Sequence, residues 1–156
     1  MAAEIALWGA AGLALLGAAW DIRTRRIPNW LVLALAAFAV GATLLSGGLS
    51  LLGSSAIHAV IVLLAGMGLF ALKAIGAGDA KFYSAAAFAV PLDRALPMLT
   101  WVVVSALVVL LILVVFYRGL KMVKDGKRES WTLPYGVPIC CGFLAATQGS
   151  LIGLPF

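Results

Sequence analysis

The chain has 156 residues, of which 64% are hydrophobic and 11% charged, with a net charge of +5 and a mean hydropathy of +1.13. A soluble domain is roughly half apolar and about a quarter charged, and one small core cannot hide this much apolar surface from water. The composition therefore excludes an ordinary soluble domain and predicts one integral membrane domain over residues 1–156. The positive charge does not indicate nucleic-acid binding, because no basic stripe interleaved with aromatic residues accompanies it.

Six apolar runs, taken in chain order, predict an all-α polytopic transmembrane bundle of about six helices. The runs cover residues 5–20, 30–45, 54–75, 80–90, 96–117 and 134–151. The fourth run is too short to cross the membrane unless it continues past Pro91 to about Leu99, and a re-entrant segment is the alternative. No basic residue precedes the first run, so we expect a retained helix rather than a signal peptide.

The basic residues alternate between the connections of these runs. Ten of the eleven are Arg23, Arg25, Arg26, Lys73, Lys81, Arg118, Lys121, Lys124, Lys127 and Arg128. The intervening connections, residues 46–55 and 91–97, contain a single basic residue, Arg94. The positive-inside rule then predicts that the basic connections are cytoplasmic and that both termini face the bacterial periplasm.

Two of the six acidic residues lie at the edges of apolar runs. Glu4, Asp93, Asp125 and Glu129 fall near a terminus or in connections, where a solvated role is expected. Asp21 and Asp79 lie instead at the predicted cytoplasmic edge of the membrane, where an ionisable side chain is a candidate functional group. Two carboxylates at the same depth could share one proton and one water, as an aspartic protease requires.

Simpler structural roles are open for the same two residues. Asp21 could pair with Arg25 at a helix end, and Asp79 could be the N-cap of a helix that begins at Ala80. Capping and catalysis are compatible. Gly76 and Gly78, which come just before Asp79, are expected to allow close backbone approach and positive φ around it.

Three segments together resemble the prepilin peptidases, a family of Gly-x-Gly-Asp membrane aspartyl proteases. They are "GAGDAK" (76–81), "DIRTRRIPN" (21–29) and "PYGVPI" (134–139), which occur in the family's order. The similarity extends over essentially the whole chain and is greatest to the short Tad (Flp pilus) subgroup, the TadV/CpaA-like enzymes. Any one of these motifs is only moderately specific, whereas the combination is far more so.

The resemblance implies a role for each matching residue. Asp21 and Asp79 would be the catalytic pair, while Gly76 and Gly78 shape the loop before Asp79. Lys81 would be a basic substrate-binding or loop-shaping residue, with snorkelling to the interface as the alternative. The implied substrate is a prepilin or pseudopilin whose leader is cut at the cytoplasmic face, with membrane lipid and the pilus assembly machinery as partners.

Two further expectations concern the second helix and a lone histidine. Pro28 and Asn29 are expected to begin the second helix, with Asn29 as its N-cap. His58 is expected to be a hydrogen-bond partner within the bundle rather than a metal ligand.

The chain differs from the larger family members, which carry a Cys-x-x-Cys insertion and also methylate the new N-terminus. Its first cytoplasmic connection is only a few residues long and holds no methyltransferase-type insertion, so the sequence leaves N-methylation open. Its only cysteines, Cys140 and Cys141, are adjacent in a predicted helix. Adjacent helical side chains diverge, so we expect packing roles and neither a disulfide nor a zinc site. No metal or cofactor is expected.

Two other functions are compatible with buried aspartates. A small transporter or proton channel could use Asp21 and Asp79 as ion carriers, and a catalytically silent scaffold would not need them. Carrier carboxylates usually lie near the membrane midplane on broken helices, whereas both aspartates here lie at one edge and no inverted repeat is visible. The sequence therefore favours the peptidase.

Overall fold

The computed structural model describes residues 1–119 and 134–151, and this part of the chain is all-helical. It contains α1 (Ala2–Thr24), α2 (Asn29–Ala71), α3 (Ala77–Ala87), a short 3-10 helix (Leu92–Arg94), α4 (Ala95–Gly119) and α5 (Gly136–Leu151). The predicted all-α class is therefore confirmed. The prediction of about six helices compares with five α-helices among the described residues.

Among the described residues, three apolar stretches are long enough to cross a membrane. They are Ala2–Thr24, Asn29–Ala71 and Leu92–Val115. Helix α3 has 11 residues, which span only about 16 Å, roughly half of the hydrocarbon thickness. Most of α4 is apolar yet almost none of its span is buried inside the molecule, as expected for a helix that faces lipid.

Helix α2 folds back on itself at Gly48. This residue has a φ of 65° and a ψ of −156°, outside the helical range. Thr43 Oγ1 donates to the Phe88 carbonyl at 2.7 Å, and His58 Nδ1 lies 2.9 Å from the Val90 carbonyl oxygen. Residues 43 and 58 would be about 22 Å apart on a straight helix, yet their partners are only two residues apart. The two halves of α2, 29–47 and 49–71, therefore form a hairpin with Gly48 at its tip.

Helix α3 packs against both halves of this hairpin. It runs antiparallel to the second half, because Ser84 Oγ donates to the Ala59 carbonyl at 3.0 Å while Ala80 lies against Gly66. A methyl group at Gly66 would come within 2.7 Å of the Ala80 Cβ, so this crossing depends on a small residue. The packing holds the first turn of α3 at the end of the bundle opposite Gly48.

Helix α1 covers this unit with a stripe of small residues. Its buried positions recur every three or four residues: Leu7, Ala10, Ala11, Ala14, Gly17, Ala18 and Asp21. A Cβ at Gly17 would lie 2.7 Å from the Phe82 ring and 3.1 Å from Leu31, so α1 approaches α2 and α3 closely there. The stripe ends in Asp21, which therefore points into the bundle.

Helices α4 and α5 pack on each other, and α5 also packs on α1. Helices α4 and α5 come close together at Gly142, where a Cβ would lie 2.9 Å from the Met98 carbonyl oxygen. Cys140 is buried and Cys141 exposed, which confirms that the adjacent side chains diverge. In this position α5 brings its first turn to Asp21.

Several predicted boundaries were wrong. The expected loop at 46–55 is helical except at Gly48. The fourth segment does not continue to Leu99, because α3 ends at Ala87 and α4 begins at Ala95, after Pro91 and a 3-10 turn.

Pro28, in an extended conformation, is the N-cap of α2, so Asn29 is instead its first helical residue. Most of the predicted basic connection between the last two helices lies outside the described residues.

Candidate active site

Asp21 lies in the last turn of α1 and is only 5% exposed. Its Oδ2 accepts a hydrogen bond from the Gly136 backbone N–H at 2.8 Å. The Asp21 carbonyl accepts from the Arg25 backbone N–H at 2.8 Å, where Arg25 ends α1 in a left-handed conformation with a φ of 52°. The carboxylate and the backbone carbonyl of Asp21 are thus both hydrogen-bonded, and the bond to Gly136 limits the rotation of the carboxylate.

Gly136 was not among the site residues predicted from the sequence. A Cβ at this position would lie 2.9 Å from the Asp21 Cβ and 3.1 Å from its Oδ2, so only glycine fits without displacement. It is the first residue of α5, where the backbone N–H has no helical partner and is available to a carboxylate. The one signal in the sequence was the Pro-Tyr-Gly run that precedes the last apolar segment.

Asp79 lies in the first turn of α3, at the third helical position rather than at the predicted N-cap. Its Oδ2 accepts from the Gly76 N–H at 3.1 Å, while its own N–H donates to the Gly76 carbonyl at 3.1 Å. This reciprocal pair is a capping arrangement, and it holds the carboxylate beside the positive end of the helix. The predicted N-cap role is therefore wrong: Gly76 is the N-cap, and Asp79, three residues later, binds its backbone N–H from inside the first turn.

The predicted roles of the two glycines differ in the structure. Gly76 has a φ of −78°, so the expected positive φ is wrong there. Its predicted close approach is confirmed, because a Cβ would come within 2.8 Å of the Asp79 Oδ2. Gly78 is inside α3, and a Cβ there would meet Ile27 atoms only at about 3.9 Å, an ordinary contact. Of the two, Gly76 is the one that the local geometry requires.

The charges of the two aspartates interact, although the residues come from different helices. Burial and then the charge of Asp21 raise the pKa of Asp79 above its usual range, while the Gly76 hydrogen bond opposes the shift. Asp79 lies outside the three stretches long enough to span a membrane. Two carboxylates whose charges interact resist being ionised together, which is the property that an acid–base pair uses.

The chain at the start of α5 contacts both the end of α1, which carries Asp21, and the connection that leads to Asp79. Gly136 binds Asp21, and the neighbouring Tyr135 hydroxyl donates to the Ala74 carbonyl at 3.4 Å, just before the Gly76 turn. Buried Ile27, in the α1–α2 connection, is the closest neighbour of Gly78. Three connections thus converge at the end of the bundle opposite Gly48. Lys81 is exposed on α3.

The arrangement of these residues defines a class of protein. A bundle of apolar helices that holds two interacting carboxylates at one end, one buried and one half-buried, suits an acid–base hydrolase or an ion carrier. Residues 8–121, well over half of the chain, match the type IV leader peptidase family, and the chain belongs to this family. Membership implies leader peptidase activity toward type IV prepilins in general. No curated protein and no solved structure matches the chain. The matched range includes both aspartates and ends before Gly136.

Proposed function

We propose that this peptidase is an intramembrane aspartic endopeptidase whose catalytic pair is Asp21 and Asp79. The observation that carries the proposal is the convergence of the buried Asp21 of α1 and the half-buried Asp79 of α3, close enough for one charge to act on the other. One carboxylate accepts a proton from water, and the other, protonated, donates to the scissile carbonyl as the water attacks. Gly136 and Gly76 hold the pair through backbone N–H groups.

The depth of the pair fits a prepilin substrate. Such a substrate has a short leader, a junction at the inner face of the membrane and an apolar helix beyond it. The carboxylates lie where the apolar stretch of α1 ends and its basic connection begins, at the end of the bundle opposite Gly48. An ion carrier would need a carboxylate nearer the midplane, so the carrier is the less favoured function.

The direct test is cleavage of a prepilin by the purified protein in detergent. We expect a shortened product whose new N-terminus begins at the leader junction. A short Tad-type enzyme would process a Flp-type prepilin, and a panel of prepilins and pseudopilins in the same assay would measure this preference. An intact panel after incubation with folded protein would contradict the proposal.

The pH dependence of cleavage should report the shared proton. The rate requires one charged and one neutral carboxyl, so it should fall at acid pH, where both are protonated, and at high pH, where both are charged. Because burial and the charge of Asp21 raise the pKa of Asp79, the high-pH fall should be centred above the usual carboxyl value of about 4. The measurement is the single-turnover rate between acid and alkaline pH. A flat profile would exclude the shared-proton mechanism.

The orientation in the bacterial inner membrane can be tested with reporter fusions. We propose that the aspartate end is cytoplasmic, since the connections that contain Arg23–Arg26 and Lys73 lie there and Arg94 lies at the opposite end. A reporter active only in the cytoplasm should give signal after Arg26 and none at Gly48 or at the C-terminus. The reverse pattern would place the site on the periplasmic face and contradict the proposal.

A further inference from the structure

Three buried polar atoms between the second half of α2 and α3 have no hydrogen-bond partner in the described part of the chain. They are Ser55 Oγ, His58 Nε2 and Tyr83 Oη. The three residues are 0%, 1% and 9% exposed, respectively. A buried hydroxyl or ring nitrogen without a partner is costly, and most such groups in folded proteins are bonded to protein or to ordered water.

The three side chains face a common region. Ser55 and His58 are three residues apart on α2, so their Cβ atoms lie about 5–6 Å apart on one helix face. The His58 and Tyr83 rings meet edge to face, with centroids 6.2 Å apart. The Ser84–Ala59 hydrogen bond holds α3 against the same face of α2. The His58 and Tyr83 rings thus lie together at the α2–α3 interface, with Ser55 one helical turn away from His58 on α2.

The bonding roles of these atoms are complementary to a water molecule. His58 Nδ1 lies 2.9 Å from the Val90 carbonyl oxygen, which can only accept, so Nδ1 carries a proton. In the neutral ring, Nε2 then presents a lone pair. The Tyr83 hydroxyl can donate, and the Ser55 hydroxyl can do either. A buried water typically makes about three hydrogen bonds, which matches this set.

We propose that Ser55, His58 and Tyr83 form a buried site for one ordered water molecule that joins the second half of α2 to α3. The water accepts from Tyr83 Oη, donates to His58 Nε2 and bonds to Ser55 Oγ. The site is separate from the aspartate pair and does not depend on the proposed function. It makes these three side chains one hydrogen-bonded unit across the interface.

The sign of a stability change tests the proposal. Tyr83→Phe keeps the ring and removes only the hydroxyl. If the hydroxyl binds water, its loss should lower Tm by about 2–4 °C in a protein of this size. If the hydroxyl is an unpaired group in a dry site, its removal should instead raise Tm, because the desolvation cost disappears. Ser55→Ala should behave in the same way. The measurement is thermal unfolding of the full chain in detergent.

A double-mutant cycle then tests whether the water is shared. The combined Ser55→Ala and Tyr83→Phe variant should lose clearly less than the sum of the two single losses, because the first change already weakens the water's site. The control pairs Tyr83→Phe with Ser105→Ala, whose hydroxyl bonds within α4 and to the Pro138 carbonyl of α5. These two losses should add. An unchanged or raised Tm in either single variant, or additive losses for Ser55 and Tyr83, would overturn the proposal.

Discussion

Replacing either aspartate by asparagine should abolish prepilin cleavage. Asparagine keeps the size of the side chain and an oxygen that can accept from Gly76 N–H or Gly136 N–H, but it removes the ionisable acid. Because the two carboxyls act as one unit, Asp21→Asn and Asp79→Asn should each reduce the rate to background, and the double variant should lose little more. The measurement is the single-turnover cleavage rate of each purified variant.

The thermal stability of the two asparagine variants should show whether a variant has lost its catalytic group or its folded structure. Each change weakens one charge-assisted hydrogen bond at a helix end, at a cost of about 1 kcal/mol. Both variants should therefore purify as folded protein with a modestly lower Tm. A folded Asp79→Asn protein that cleaved at the normal rate would contradict the catalytic assignment.

Asp93→Asn is the matched control for these variants. Asp93 lies in the 3-10 turn before α4, at the opposite end of the bundle from the aspartate pair. Cleavage by this variant should be unchanged. An ion carrier would instead lose flux in the Asp21 and Asp79 variants, and a scaffold would tolerate all three changes, so the same set of proteins distinguishes the three functions.

Adding one methyl group at Gly136 should reduce cleavage about 100-fold. In Gly136→Ala the new Cβ would lie 2.9 Å from the Asp21 Cβ, which cannot rotate away because it is fixed to the backbone of α1. Helices α1 and α5 must then separate slightly or the carboxylate must turn, and a displacement of about 1 Å at a catalytic group can cost this much in rate. The fall should appear in the rate of the chemical step rather than in the affinity for prepilin.

Gly12→Ala is the control for this substitution. Gly12 lies on the same helix as Asp21, and a Cβ there would meet nothing within 4 Å. Alanine also favours the helix by up to about 1 kcal/mol over glycine. This variant should cleave normally and be as stable as the original or more so. Equal rates for the Gly12 and Gly136 variants would show that the Gly136 contact does not position Asp21.

The position of the aspartates was largely predictable, because each is a charge at the edge of an apolar run. The direction in which Asp21 points was not predictable in this way, because α1 is apolar on nearly every face and only the packing shows that Ala10, Ala14 and Ala18 are buried. The bend at Gly48 was harder to place. Several glycines occur in this stretch, and only tertiary contacts with α3 decide which of them takes a positive φ.

Gly136 could not be found by the same reasoning. The group that binds Asp21 is a backbone N–H, which every residue except proline carries, so its identity leaves little trace in residue type. The contact also joins residues 115 positions apart, which no local pattern encodes. The start of α3 also differs from the prediction, since the helix begins at Ala77 and not at Ala80. Glycine is a poor helix former, yet Gly78 lies inside the first turn because capping by Asp79 and packing against α2 outweigh its propensity.

The distance in sequence between Asp21 and Gly136 determines when the site is complete during biosynthesis. Asp21 leaves the ribosome early in translation, but the N–H that holds its carboxylate belongs to the final described helix. A nascent chain that has inserted α1 to α4 already contains both aspartates, yet Asp21 has no anchor from α5. The hydrogen bond that holds the Asp21 carboxylate can therefore form only after α5 has been made, so the proposed catalytic pair is incomplete in a partly synthesised chain.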